Sequence, residues 1–188
     1  MSGNNFNMIT GTSGNDAIVG TGGDDLIAGL AGADTIDGGA GFDLVTYEAS
    51  TLGVDVYSRA SLSGGGGFFG QTGFFAWDGY AGDALGDVLT NIEGIVGSNH
   101  DDTIVAGVES NHLEGLDGND SIDAGDGADT IAGGAGDDTI TAAEGNDTVM
   151  IGGGGTDVIE GHVPGGGFLP DMYFTDTLSA EGMTDAVT

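Results

Sequence analysis

Aspartate recurs every ninth residue along two stretches of the chain. The first holds Asp16, Asp25, Asp34 and Asp43; the second holds Asp102, Asp120, Asp129, Asp138, Asp147 and, one residue out of step, Asp157. Carboxylates brought close together by such a period can share a proton, as in acid–base catalysis, or share a cation. Acid–base work needs one carboxyl with a raised pKa in a cleft, and a uniform repeat favours no single pair. Cation binding needs only oxygen donors, and the whole chain points that way: 31 Asp and Glu stand against one Lys or Arg, for a net charge of -30. Hard divalent cations, calcium above all, take 6 to 8 such oxygens.

The elements that must position these carboxylates follow from the rest of the period. The chain reads GTSGNDAIV, GTGGDDLIA, GLAGADTID and GGAGFDLVT over 11–46, and GSNHDDTIV, AGVESNHLE, GLDGNDSID, AGDGADTIA, GGAGDDTIT, AAEGNDTVM and GGGGTDVIE over 97–160, with Ile151 inserted before the last unit. The sixth position is Asp in all but one unit, where Asn111 stands, and the eighth is always Ile, Val or Leu. Glycine at the first, second and fourth positions suits a tight turn with positive φ. Three residues around one aliphatic suit a very short strand with that side chain turned inward. Turn and strand in alternation predict an all-β parallel coil with two sheets and eighteen residues per full turn. The sixth-position carboxylates then stack at the ~4.8 Å strand spacing. That like-charge ladder pushes the coil apart unless a cation sits between successive turns.

These units resemble the RTX, or hemolysin-type, calcium-binding nonapeptide GGxGxDxUx, which builds a parallel β-roll, a right-handed β-helix or solenoid with calcium in its turns. The resemblance covers about half of the chain. It implies several calcium ions, each joining repeats two units apart: Asp16 with Asp34, Asp25 with Asp43, Asp102 with Asp120, Asp120 with Asp138, Asp129 with Asp147, and Asp138 with Asp157. Two units depart from the motif. The unit at 106–114 has Glu109 for glycine and Asn111 for aspartate, and the unit at 97–105 has His100 for glycine. The family also implies a bacterial protein that reaches the outside of the cell or its surface by type I secretion, without a cleaved N-terminal signal. In agreement, MSGNNFNMITG has neither a basic region nor an apolar run.

The nine-residue frame is lost between the arrays, over 47–96. There TLGVDVYSRASL alternates like a strand, and Leu85, Val88, Leu89, Ile92, Ile95 and Val96 are expected to continue the core through longer turns. The same interval holds GGGGFFGQTGFFAWDGY, residues 64–80, with Phe68, Phe69, Phe74, Phe75, Trp77 and Tyr80. This aromatic loop is expected either to fold back as a cover on the roll or to form an interface with another protein, with a second copy of this chain or with a membrane surface. Arg59, the lone base, is expected to pair with a local carboxylate. The segment 161–188 leaves the repeat again and is expected to cap the last turn or to carry a C-terminal secretion signal. One elongated domain over 1–188 is the expected organisation.

Composition narrows the function. The chain has no cysteine, hence no disulfide framework, thiolate metal site or cysteine nucleophile. So negative a chain is a poor partner for nucleic acid phosphates or anionic lipid, and no run approaches the ~18 apolar residues of a membrane span. His100, His112 and His162 fall in no HExxH spacing, and there is no GxSxG elbow; together with flanks too short for a catalytic domain, this gives no enzyme. The expected function is that of a calcium-binding repeat protein with a structural, surface or adhesive role. The alternatives are an accessory subunit docking through the aromatic loop, and an export and folding module associated with a secreted enzyme. Without calcium the ladder repels itself, so far-ultraviolet circular dichroism is expected to show a largely disordered chain in chelator that gains strand signal when calcium is added; an unchanged spectrum would refute this.

Overall fold

The computed structural model describes residues 6–58, 74–76, 82–161 and 177–180. All regular structure among them is strand, arranged in two sheets. The first sheet stacks, in order, Asn7–Thr10, Asp25–Ala28, Leu44–Thr46, Gly94–Val96, His112–Asp117, Thr130–Ala135, Thr148–Ile151 and Thr177–Ala180, all parallel. The second stacks Ala17–Val19, Thr35–Asp37, Val88–Thr90, Phe74–Ala76, Asp55–Ser58, Thr103–Val105, Ser121–Asp123, Thr139–Ala143 and Val158–Gly161. Successive units alternate between the sheets, so each strand pairs with the one two units on, as in Ile104 beside Ile122 and Leu113 beside Ile131. The period thus builds a β-solenoid, with a backbone ladder running the length of each sheet.

Eighth-position side chains point between the sheets. Ile27, Val45, Ile95, Leu113, Ile131 and Val149 form one buried row, and Ile36, Leu89, Val56, Ile104, Ile122 and Ile140 form the facing one. Ile18 and Ile159, in the outermost repeats, are only partly buried, as expected of the first and last units of a stack.

The first sheet runs through the interruption without a gap, because Leu44–Thr46 pairs directly with Gly94–Val96. The second sheet receives three strands there. Val88–Thr90 continues from Thr35–Asp37, Asp55–Ser58 lies against Thr103–Val105, and Phe74–Ala76 joins the two as the one antiparallel strand among the described residues. Within TLGVDVYSRASL the expected alternation is realised up to Ser58, the last described residue of the stretch: Val54 and Val56 are buried while Asp55 and Tyr57 are half-buried. Leu89, Ile92 and Ile95 join the core as expected. Leu85, Val88 and Val96 do not: Leu85 and Val88 are 47% and 37% exposed and Val96 is half-buried; Val88 and Val96 flank the inward Leu89 and Ile95 on strands whose side chains alternate, and Leu85 lies in the turn before Val88. Arg59 lies outside the described residues. In the C-terminal segment, Thr177–Ala180 adds a final strand to the first sheet, beside Thr148–Ile151.

The stacked aliphatics should respond as core residues. Ile131, fully buried in mid-sheet, is expected on replacement by alanine to lose ~2–5 kcal/mol, read as a lower urea midpoint at saturating calcium. The same change at Val158, 49% exposed, is expected to move the midpoint far less.

Candidate metal centre

The turns place the sixth-position side chains in two rows, one along each edge of the solenoid. Seven of the carboxylates are tied to the preceding turn of their row by the same hydrogen bond, in which a backbone N–H donates to Oδ1 of the residue 18 positions on, or 19 across the inserted Ile151. Asp16 donates to Asp34 at 2.8 Å, Asp25 to Asp43 at 2.9 Å, Asp102 to Asp120 at 2.9 Å, Asn111 to Asp129 at 2.7 Å, Asp120 to Asp138 at 3.0 Å and Asp129 to Asp147 at 2.9 Å. Across the inserted Ile151, Asp138 donates to Asp157 at 3.2 Å. All six pairs expected from the repeat are therefore adjacent, and Asn111, a departure from the motif, occupies its place in the row.

Two further members were not read from the repeat. Asp87 accepts the Asp34 N–H at 2.7 Å, and Glu93 Oε2 accepts the Asp43 N–H at 2.8 Å, so each prolongs a row into the interruption. The signal was present locally. Asp87-Val88-Leu89 and Glu93-Gly94-Ile95 each keep an acid two residues before a core aliphatic, but their spacing is out of phase with the nines. Both rows then break. After Glu93 it is the Asn111 amide that donates back, to the Glu93 carbonyl at 3.3 Å, and Asp102 receives its N–H from Val54 at 2.7 Å.

The second carboxylate oxygen carries the chemistry. Asp34, Asp120, Asp129 and Asp138 are 1–2% exposed, and in each Oδ2 is buried with no hydrogen-bond partner. Such an atom is costly to bury unsatisfied. It points into the cradle of its own turn, where a first-position glycine leaves the room: a β-carbon on Gly29, Gly115 or Gly133 would collide with Oδ2 of Asp34, Asp120 or Asp138. Second-position residues of these interior turns are left-handed even without glycine, with φ of 68° at Leu30, 82° at Leu116 and 57° at Ala143. Backbone held in that region at some energetic cost is a mark of a constrained site. The described residues include no Lys or Arg, and the one ion pair among them is His112 with Glu114 at 2.7 Å. Nor do three acidic or imidazole side chains converge on a point anywhere among them. An ion here would take carboxylate oxygens from the row and the rest from turn carbonyls, an all-oxygen donor set that suits calcium. The buried, unpartnered oxygens and the glycine cradles fit such an ion.

Of the three histidines, His100 is exposed in its turn, His112 bonds Glu114 and meets the Phe42 ring edge-on at 6.2 Å, and His162 lies outside the described residues. Phe68, Phe69, Trp77 and Tyr80 lie outside them as well; Phe74 and Phe75 fall in the antiparallel strand Phe74–Ala76.

Burial pushes the Asp120 and Asp129 carboxyls up to about 7 from an ordinary 3.8, against the pull of the N–H that each accepts; Asp102 and Asp138 beside Asp120, and Asp147 beside Asp129, push the same way. Asp87 is raised to about 7 by burial, and Asp34, Asp43, Asp102 and Asp138 also rise, burial again being the main cause. A carboxyl whose folded pKa lies above its unfolded value favours folding below the unfolded value, and that contribution is lost as pH rises through the folded one. The metal-free chain is therefore expected to gain strand structure as pH falls from about 7 towards 4, and calcium added near pH 6 is expected to release protons, followed by circular dichroism in chelator and by pH change in weak buffer.

A family model matches the chain in four copies, over residues 10–45, 96–131, 114–149 and 123–159, together just over half of its length. Its description is the RTX calcium-binding nonapeptide repeat. No curated protein gives a significant match. With the nine-residue turns, the paired rows of carboxylates and the parallel solenoid all in place, the chain belongs to the RTX calcium-binding nonapeptide repeat family.

Proposed function

We propose that this protein is a calcium-folded RTX module that acts outside the cell or at its surface in a structural or adhesive role, without catalysis. The observation that carries the reading is the set of buried carboxylates whose second oxygen has no partner, in a chain with a single Lys or Arg. Several calcium ions would be held between turns by carboxylates of the two rows, among them Asp34, Asp43, Asp120, Asp129, Asp138, Asp147 and Asp157, together with turn carbonyls. Bound calcium supplies positive charge between turns and removes the repulsion that opposes stacking. Binding that stabilises only the folded state makes folding depend on calcium concentration. Half-saturation at about 10⁻⁴–10⁻³ M, the range of extracellular modules, would leave the chain unfolded in the cell, fit for type I secretion, and folded once outside.

A second reading, an accessory subunit docking on a partner protein, is favoured by the exposed apolar residues of the interruption: Leu52, Leu85 and Val88 are 53%, 47% and 37% exposed. They lie in the same segment as the aromatic loop. The two readings separate by self-association. Light scattering and sedimentation of the pure chain are expected to show calcium-dependent assembly, reversed by chelator. A particle that folds with calcium yet remains monomeric at every concentration would refute self-assembly and leave docking.

A further inference from the structure

The members of the two rows do not all offer the same oxygen. At Asp16, Asp25 and Asp102 the Oδ2 that stays unpartnered in Asp34, Asp120, Asp129 and Asp138 is already taken. Asp16 Oδ2 accepts the Thr12 N–H at 2.6 Å and the Thr12 hydroxyl at 2.9 Å. Asp25 Oδ2 accepts the Thr21 N–H at 2.5 Å, while the Thr21 hydroxyl and Asn7 Nδ2 both donate to its Oδ1 at 2.9 Å. Asp102 Oδ2 accepts the Ser98 N–H at 2.6 Å, and the Ser98 hydroxyl donates to Oδ1 at 2.8 Å. In all three turns the same hydroxyl oxygen also accepts a backbone N–H two residues on, from Gly14, Gly23 and His100.

These residues share a place in the architecture. Thr12, Thr21 and Ser98 stand at the second position of their units, and each unit starts a run: Asp16 and Asp25 belong to the first two units of the solenoid, and Asp102 follows the row break at Val54. None of the three has positive φ, nor has Gly107, whose unit carries the neutral Asn111 in place of aspartate, whereas the second-position residues Leu30, Gly39, Leu116, Gly125, Gly134, Ala143 and Gly153 have φ from 57° to 113° and carry no hydroxyl. A cation between two turns needs a regular turn on each side. Among the described residues no regular turn precedes Asp16 or Asp25 in its row, and the chain before Asp102 is irregular, so the charge there would lack its cation although Asp25 and Asp102 are buried. A hydroxyl and an N–H supplied from the carboxylate's own turn stabilise that charge without metal. Asp87, whose turn is irregular, shows the same solution by another route: Tyr47, fully buried, donates its phenol to Asp87 Oδ2 at 3.0 Å.

From this pattern we infer that Thr12, Thr21 and Ser98 are metal-replacing caps, so that calcium is confined to the interior turns and Asp16, Asp25 and Asp102 hold none. The inference rests on the calcium reading above and sharpens it: a hydroxyl at the second position marks the turns that are not sites.

The test is calcium stoichiometry of the full chain, by equilibrium dialysis with labelled calcium, with folding followed by circular dichroism. Asp120→Asn and Asp138→Asn are expected to bind fewer ions than the native chain, whereas Asp16→Asn and Asp102→Asn are expected to keep the native count. An Asp16→Asn or Asp102→Asn chain that folds but binds fewer ions overturns the inference while leaving the calcium reading intact. A native chain that binds no calcium overturns that reading instead. Should Asp102→Asn not fold, Asp16→Asn in the outermost turn and Ser98→Ala decide the matter, the latter expected to fold at higher calcium with an unchanged ion count; a loss of ions in either overturns the caps.

Discussion

The electrostatics of buried carboxylates govern this molecule. A folded chain that hides Asp25, Asp34, Asp43, Asp87, Asp102, Asp120, Asp129, Asp138 and Asp147 from water must balance them with protons, hydrogen-bond donors or cations. The sequence has a single Lys or Arg to offer against 31 acids. In all of these but Asp25, Oδ1 is met by a backbone N–H from an adjacent turn, which joins successive coils but supplies no net charge. What remains on Oδ2 decides whether the turn is neutral, capped or open to an ion.

The hydrophobic core depends on that balance. Its aliphatic rows are one residue deep, sandwiched between sheets whose strands are mostly three to six residues long, so little apolar area is buried per residue ordered. Burial of this kind holds a shape once the turns are stacked, but it is a weak force for bringing them together against their own charge. In an RTX module the turn chemistry and the core are therefore one cooperative unit, each repeat contributing through its neighbours as in other solenoids.

Much of this was legible in advance because the repeat is periodic. An aliphatic every nine residues fixes which side chain faces inward. An Asp two residues before it fixes the row, and the pairing of repeats two units apart follows from two sheets sharing one coil. Asp87 and Glu93 are invisible to the period because the interruption changes the number of residues between turns and throws them out of phase. Their local pattern, an acid two residues before Leu89 or Ile95, was intact. Val88 is apolar and reads as core, whereas the strand turns it outward beside an inward Leu89.

By itself the sequence determined the parallel two-sheet solenoid, the identity of its core rows, the carboxylate ladder and the kind of cation it calls for, because each follows from residue type at a fixed spacing. Only the tertiary structure decided how the rows cross the interruption and which carboxylates keep an open oxygen. The first depends on which strands the longer turns bring together, 18 or more residues apart in the chain, and the second on how the backbone of each turn folds round its own carboxylate. A threonine or serine at the second position reads in sequence as one more tolerated substitution for glycine. In the folded turn its hydroxyl and N–H reach the carboxylate four residues on, and that contact sets Asp16, Asp25 and Asp102 apart from the interior of the rows.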